Sequence, residues 1–414
     1  MKTVIMAGGK GTRISSIASD IPKPMIRIGD KPVLELEIES LKRQGLKDFI
    51  ITISHLGNVI TDYFKDGSEF GVNIEYYNEE KPLGNAGALF QLKDKLDDDF
   101  LLINGDVLFD IDVNRFIEYH KANKGLVTLL THPNNHPYDS GLIITDSDKK
   151  VIKWLTKEDP RPDYYKNRVN AGIHIVSPEV LNQKIDKEKI DLDRDVLKPL
   201  CGTGKMIAYD SSEYVKDMGT PERYAEVCKD YLSGKVNRRS LSHKQKAVFL
   251  DRDGTINHYV GFLRTLEQFE LNPGAAEAIK TINHSDYLCI VVTNQPVIAR
   301  GEVTYDGLEN IHNKMETLLG KEGAYIDGLY FCPHHPDSGF EGEVKELKII
   351  CDCRKPKPGM LIKAAEDFNI DLTESIMIGD SDADMMAGGA VDCKCIKIDR
   401  DGNLLDAVKQ VINI

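Results

Sequence analysis

The chain has 414 residues, 41% hydrophobic and 29% charged, with a net charge of -13. That length suggests two or three domains, the composition argues against wholesale disorder, and the charge argues against a nucleic-acid or membrane-surface binder while leaving room for anionic ligands held by local cations. No apolar run reaches the ~18 residues that span a bilayer, and eight cysteines in so long a chain do not make a disulfide scaffold, so the expected compartment is the reducing cytoplasm.

Thr3 to Met6 reads as a short apolar strand, and Ala7-Gly8-Gly9-Lys10-Gly11-Thr12-Arg13 follows it. Glycines there let backbone N–H groups approach a phosphate, and Lys10 and Arg13 add charge. The spacing fits neither the Walker loop nor the dinucleotide fingerprint. Pro22-Lys23-Pro24-Met25 holds Lys23 in a stiff segment, suited to phosphate. A helix follows, with Leu34, Ile38 and Leu41 on one face and Gly45 as its stop. Asp48 to Ser54 and Val72 to Tyr77 read as strands. Pro82 to Leu89 is a loop of small residues opening a helix, able to admit a flat base or sugar. Phe100 to Asn104 is an apolar strand ending in Gly105-Asp106, where Asp106 suits a hard cation.

These stretches, with Asn170-Ala171-Gly172-Ile173 and Asp217-Met218-Gly219-Thr220-Pro221-Glu222, resemble the sugar-phosphate nucleotidyltransferase family over residues 1–235. The resemblance implies a Rossmann-like, glycosyltransferase A-like α/β domain. It implies that Ala7, Gly8, Gly9, Gly11, Thr12 and Arg13 hold a nucleoside triphosphate and that Lys23 contacts the reacting phosphate. Gly84 and Ala86 would border the base and sugar pockets. Asp106 and Asp217 would hold Mg²⁺, and Asn170 and Gly172 would line the sugar-phosphate site, with Lys153 and Glu158 weaker candidates. Asn85 stands where many relatives are expected to carry threonine. Gly202-Thr203-Gly204-Lys205-Met206 looks phosphate-binding but reads as a turn before a strand, and the single Trp154 reads as core or pocket wall.

Tyr224 to Leu232 reads as a closing helix and residues 236–245 as a solvated linker. A new domain then starts at 246. Ala247 to Leu250 reads as a buried parallel strand ending in Asp251-Arg252-Asp253-Gly254-Thr255. Asp251, expected to be ionised near neutral pH, could act as nucleophile, and Asp253 could move a proton at the leaving group. Asn272-Pro273-Gly274 signals a helix start, Asn272 as cap. Tyr287 to Val292 is a strand whose tip carries Thr293 and Asn294, with Arg300 in the loop beyond. Arg354-Lys355-Pro356 offers cations to a phosphate. Ile376 to Ile378 is a strand ending in Gly379-Asp380, completing a Mg²⁺ site with Asp251 and the carbonyl of Asp253.

Taken in order, these residues resemble the haloacid dehalogenase phosphatases over 246–414, which implies a second Rossmann-like α/β domain. The resemblance implies an aspartyl-phosphate on Asp251, with Asp253 as acid and then base, and Thr293, Asn294, Arg300, Arg354 and Lys355 on the substrate. Cys332, His334, Cys351 and Cys353 make a four-ligand set suited to tetrahedral Zn²⁺, whereas Cys393 and Cys395 read as core. That zinc loop, with Arg354 and Lys355, looks like the D-glycero-D-manno-heptose 1,7-bisphosphate phosphatases; histidinol-phosphate phosphatases share the look. Thr293-Asn294-Gln295-Pro296 departs from the serine-glycine expected after the glutamine.

A phosphatase for a sugar bisphosphate beside a transferase for a sugar 1-phosphate resembles the route to GDP-D-glycero-α-D-manno-heptose, a precursor of lipopolysaccharide or S-layer glycans. The expected partners are sugar phosphates and a nucleoside triphosphate, GTP by pathway analogy, with no nucleic acid and no membrane; a homo-oligomer stays open. Mannose 1-phosphate, histidinol phosphate, ATP or CTP, or one non-catalytic half, are the alternatives.

Overall fold

The computed structural model describes residues 1–8, 21–79, 81, 83–339 and 341–412. It divides into two compact units. The first comprises Met1–His132, Ile143–Leu155 and Asn170–Ser240, and the second Pro133–Leu142, Thr156–Val169 and Leu241–Ile414.

The first part of the chain runs β1 (Thr3–Met6), the short β2 (Arg27–Ile28) and β3 (Lys31–Pro32), α1 (Val33–Arg43), β4 (Asp48–Ile53), α2 (Gly57–Phe64), β5 (Asn73–Asn78), α3 (Gly87–Gln91), β6 (Phe100–Asn104), β7 (Val107–Asp110) and α4 (Val113–Asn123). It continues through β8 (Val127–His132), β9 (Leu142–Thr145), β10 (Val151–Leu155), β11 (Val169–Val176), β12 (Met206–Asp210), β13 (Tyr214–Asp217), α5 (Pro221–Leu232) and α6 (Lys235–Arg238). The main sheet has the order β10-β9-β11-β6-β1-β4-β5, with β8 joining β11 to β12. β1 lies between β4 and β6, parallel to both. Alternation assigns its two faces: Ile5, Ile51 and Ile103 enter one core, and Val4, Ile50 and Leu102 the other. A strand buried on both faces must be apolar throughout, which is why β1 reads as an unbroken run.

The second part runs β14 (Lys246–Leu250), α7 (Ala275–His284), β15 (Tyr287–Asn294), α8 (Tyr305–Lys321), β16 (Gly328–Cys332), α9 (Gly359–Phe368), β17 (Ile376–Gly379), α10 (Asp382–Gly389), β18 (Lys394–Lys397) and α11 (Leu404–Lys409). Its five strands are ordered β16-β15-β14-β17-β18, each pair parallel. Val248 and Leu250 face one core, Ala247 and Phe249 the other. β14 lies between β15, reached in one direction, and β17, reached in the other. Its carboxyl end is therefore a switch point, the crevice where open parallel sheets bind ligands.

Three expectations need correction. Residues 236–245 are no solvated linker: Val236, Arg239, Ser240, Leu241 and Gln245 are buried, and Arg239 donates to the Ser212 carbonyl. Polar composition hid this, because the burial rests on backbone and side-chain hydrogen bonds rather than an apolar stripe. Helix α7 starts at Ala275 behind Gly274, so Asn272 does not cap it as expected; its carboxamide donates to the Thr255 carbonyl instead, 3.2 Å away. Finally, 133–142 and 156–169 belong to the second unit although the first domain was expected to run unbroken over 1–235. The Tyr165 N–H donates to Thr317 Oγ1 and the Asn167 N–H to Glu316, both on α8.

Candidate active sites

In the first unit, Gly8 ends the described part of the glycine loop; Gly9, Lys10, Gly11, Thr12 and Arg13 lie outside the described residues. Ala7 N–H donates to the Thr52 carbonyl and Ser54 Oγ to the Gly8 carbonyl at 2.7 Å, fixing the loop to the end of β4. A Cβ at Gly8 would stand 3.2 Å from Glu79 Oε1. Glu79 accepts from the Leu83 N–H, and burial pushes its carboxyl up. Its carboxylate thus lies between the Gly8 and Gly84 loops. Gly84 has φ +85, and any Cβ there would meet the Ile190 carbonyl at 2.3 Å, so only glycine allows that approach. Ala86 is wholly buried. Asn85, the unexplained departure, accepts the Leu192 N–H at 2.7 Å; it ties the small-residue loop to the segment after Ile190.

Lys23 is ion-paired with Asp106. Strand β13 runs antiparallel to β7 with Asp217 opposite Val107, and the Met218 N–H donates to the Asp106 carbonyl. The two aspartates of the expected Mg²⁺ site are therefore neighbours. Burial alone would raise the Asp217 carboxyl, but Arg223, which donates to both its oxygens at 3.1 and 2.9 Å, and Lys23 hold it below the usual range. Gly172, φ +74, brings its Cα against Asn104 and donates its N–H to Asn170 Oδ1, so Asn170 and Gly172 lie beside the residue that precedes Gly105-Asp106. Glu37 escaped the sequence reading: it is fully buried on α1, and burial and the charge of Asp106 push its carboxyl well up. Lys153 and Glu158 are exposed and fall in different units. Trp154 is in the core, and 202–204 is a turn before β12.

In the second unit, Asp251 leaves the end of β14. Lys355 Nζ donates to Asp251 Oδ1 at 2.6 Å and the Val292 carbonyl at 2.7 Å, and lies 2.5 Å from Asp384 Oδ1. Carboxylate oxygens of Asp251, Asp380 and Asp384 lie within 4.8 Å of one another. Burial, together with Asp384 and Asp253, pushes Asp251 up to about 7 despite Lys355. Burial thus holds the Asp251 proton to higher pH than that of an ordinary aspartate. Two glycines make room: a Cβ at Gly254 would stand 2.8 Å from Asp380 Oδ2, and one at Gly379 2.5 Å from the Asp384 carboxylate. Arg400 Nε donates to Asp380 Oδ2 at 2.7 Å.

The Asp253 side chain points into a separate set of donors. Arg252 Nη2 donates to both oxygens at 2.8 Å, Gln295 Nε2 to Oδ2 at 2.7 Å and Asn257 Nδ2 to Oδ1 at 3.1 Å. Gln295 also donates to Thr293 Oγ1 at 2.9 Å. Asn294 and Lys355 exchange two bonds, each 3.0 Å, holding the two loops together. Arg354 donates to the His334 carbonyl. Arg300 pairs with Glu302 at 2.7 Å and lies over the Phe262 ring. Sequence reasoning missed Arg252, Asn257, Gln295 and Asp384; the one signal available was their adjacency to the Asp251, Thr293 and Asp380 motifs.

Cys332, His334, Cys351 and Cys353 come together, with Sγ and Nδ1 atoms 3.1–3.6 Å apart. Cys393 and Cys395 pack into the core.

Comparison with known proteins matches this geometry. Residues 2–234 fit the nucleotidyl transferase family model, and 205–392 that of the haloacid dehalogenase-like hydrolases. A Salmonella typhi D-glycero-beta-D-manno-heptose-1,7-bisphosphate 7-phosphatase is 42% identical over 144 residues, 35% of this chain and 74% of the relative. The chain belongs to both families. Its transferase half is 32% identical over 235 residues to a Mycobacterium tuberculosis mannose-1-phosphate guanylyltransferase, 56% of this chain and 64% of that protein. A Synechocystis UTP–glucose-1-phosphate uridylyltransferase is also covered over 64% of its length. The solved structure of a putative glucose-1-phosphate thymidylyltransferase from Bacillus anthracis shares the fold with TM-score 0.50 at 22% identity, over 55% of this chain and 94% of that one.

The metals that these families imply fit the residues present. The crowded carboxylates of Asp251, Asp380 and Asp384, the first of them raised by burial and by its neighbours, are a donor set that a hard dication relieves. Tetrahedral Zn²⁺ with arms of about 2.3 Å gives ligand–ligand edges of about 3.7 Å, near the Cys/His spacing observed. His335, the neighbouring histidine, accepts the Asp337 N–H instead.

Proposed function

We propose that this transferase–phosphatase converts a heptose bisphosphate to a nucleotide-activated heptose. The phosphatase half removes the 7-phosphate of D-glycero-D-manno-heptose 1,7-bisphosphate, and the transferase half couples the remaining 1-phosphate to GTP with release of pyrophosphate. The observation that carries the reading is the Asp251–Lys355–Asp384 centre at the end of β14, in a half 42% identical to a heptose bisphosphatase.

In the phosphatase, Asp251 Oδ attacks the 7-phosphorus. The bond from phosphorus to the sugar O7 breaks, and Asp253 gives that oxygen its proton. Water then attacks the aspartyl-phosphate, Asp253 takes its proton, and phosphate leaves with Asp251 restored. Thr293 and Asn294, at the carboxyl end of β15, would hold the phosphate, Arg354 and Arg300 would meet the rest of the sugar, and Lys355 balances Asp251. Mg²⁺ held by Asp251, the Asp253 carbonyl and Asp380 would neutralise the phosphate and align it.

In the transferase, an oxygen of the sugar 1-phosphate attacks the α-phosphorus of the triphosphate, and the bond to the bridging oxygen of pyrophosphate breaks. The nucleophile arrives as an anion, so the protein aligns and neutralises: Lys23, Arg13 and the glycine loop on the triphosphate, Asn170 and Gly172 on the sugar phosphate, Asp106 and Asp217 as the Mg²⁺ ligands. Glu79 supports guanine. A carboxylate accepts two adjacent donors, and guanine offers N1–H and N2–H side by side. GTP should exceed inosine triphosphate, which lacks the 2-amino group, by about tenfold or more in kcat/KM, and Glu79→Gln should erase that difference.

The deciding experiment incubates the enzyme with heptose and hexose bisphosphates and all four nucleoside triphosphates and identifies the nucleotide sugar by mass. A hexose product, or none, would sink the heptose reading.

A further inference from the structure

The geometry points to Arg252 as the residue that aims the proton-carrying side chain of the phosphatase: we propose that its buried guanidinium fixes the Asp253 carboxylate toward the leaving oxygen. The inference rests on the acid–base reading of Asp253 above.

Arg252 is the largest wholly buried side chain among the described residues, 0% exposed. Among the described residues its side-chain hydrogen bonds all end on one group: Nε donates to Asp253 Oδ1 at 3.2 Å, and Nη2 to Oδ1 and Oδ2, both at 2.8 Å. Its Nη1 has no hydrogen-bond partner among the described residues, nor has Nε2 of His312 on α8. Burial and the Arg252 charge keep His312 well below its usual range, as a neutral ring. A guanidinium stripped of water, facing a neutral histidine and left one donor short, is a poor device for stability. An apolar side chain of similar volume would serve the core at least as well. What Arg252 gives in return is orientation. Asp253 is otherwise held only from its flanks, by Gln295 and Asn257, and the planar fork of arginine fixes both oxygens where a single amide cannot. Arg252 touches neither substrate nor phosphorus in this account; it is a positioning residue.

Leaving-group dependence tests this. The kcat/KM of an aspartyl-phosphate enzyme covers the steps up to loss of the first leaving group. The sugar alkoxide needs a proton from Asp253, whereas p-nitrophenolate departs without one. In the full-length enzyme with Mg²⁺, Arg252→Met should cut kcat/KM on the best sugar bisphosphate by about 100-fold and on p-nitrophenyl phosphate by less than about fivefold. Arg252→Lys, which keeps the charge and loses the fork, should fall between Met and the parent on the sugar ester alone. The melting midpoint of both variants should stay within a few degrees of the parent, and if Met fails to fold, Lys carries the comparison. Asp253→Asn is run beside them. Selective loss in Asp253→Asn with equal loss on both esters, or none, in the Arg252 variants would overturn the proposal. Equal loss on both esters in Asp253→Asn would overturn the acid–base reading beneath it.

Discussion

The two acidic centres use opposite electrostatics. At the phosphatase centre the key carboxylate is buried among like charges and raised to about 7. At the transferase centre Asp217 is held low by Arg223 and Lys23. The difference follows from where the nucleophile comes from. In the mechanism proposed for the phosphatase the protein supplies its own, Asp251, which is desolvated, crowded and able to trade a proton or a cation for a phosphorus atom. In the mechanism proposed for the transferase the nucleophile arrives as an anion with the substrate, so Asp217 would need only stay ionised to help hold a metal near Lys23.

The largest expected effects break the comparison in half. Asp251→Asn removes the proposed covalent nucleophile and should lower phosphate release by at least about a thousand-fold, with pyrophosphate formation unchanged. Asp106→Asn should do the reverse, lowering pyrophosphate formation by about 10²–10³-fold, as expected for loss of one charge-stabilising group. Separate assays of phosphate and pyrophosphate on the two variants check both. Loss of both activities from either change in a folded protein would mean that the centres are not independent.

A metal-ligand change comes next, and it bears on stability rather than chemistry. The Cys/His set lies on the loop that carries Arg354, which donates to the His334 carbonyl. Cys351→Ser should lower the zinc content from about one per chain toward zero and the melting midpoint by on the order of 10 °C, as loss of several kcal/mol of structural metal implies. Elemental analysis of the native protein showing no zinc would discard the set.

Much of this was legible in the sequence, for a physical reason. Strands buried on both faces must be apolar, so Thr3–Met6, Phe100–Asn104, Ala247–Leu250 and Ile376–Ile378 announce themselves, and an aspartate one or two residues beyond the last three marks a strand end where ligands bind. Asp106, Asp251 and Asp380 were found that way, Lys355 by the proline beside it, and Cys332 and its partners by ligand chemistry. The supporting residues were not. Arg252 between two aspartates looks solvated until its burial is seen, and Gln295 and Asn257 act through a loop-to-loop approach that no spacing encodes. Residues 236–245 carry no periodicity to betray their burial. The ionisation of Asp251 depends on Asp384, which sequence places in the next helix and the fold places 2.5 Å from Lys355.

The smallest expected effect sharpens the contrast through pH. Burial raises the Asp251 carboxyl from its unfolded value near 3.8 to about 7 in the folded protein. Between those values the folded state binds more protons than the unfolded one, so this group's contribution to stability is full below about pH 4 and declines as pH rises through about 7. Mg²⁺ competes with that proton and restores what ionisation removes. Its stabilising effect should therefore grow with pH, from a negligible shift of the phosphatase melting midpoint at pH 5 to a few degrees at pH 8, where binding at a hundred times Kd would give about 2.7 kcal/mol. Asp251→Asn, which cannot ionise there, should flatten the dependence, while Asp217→Asn should leave it intact because that carboxyl is already charged across the range. A Mg²⁺ shift of equal size at pH 5 and pH 8 would show that the cation does not displace a proton from Asp251, and the contrast drawn between the two centres would fail on its phosphatase side.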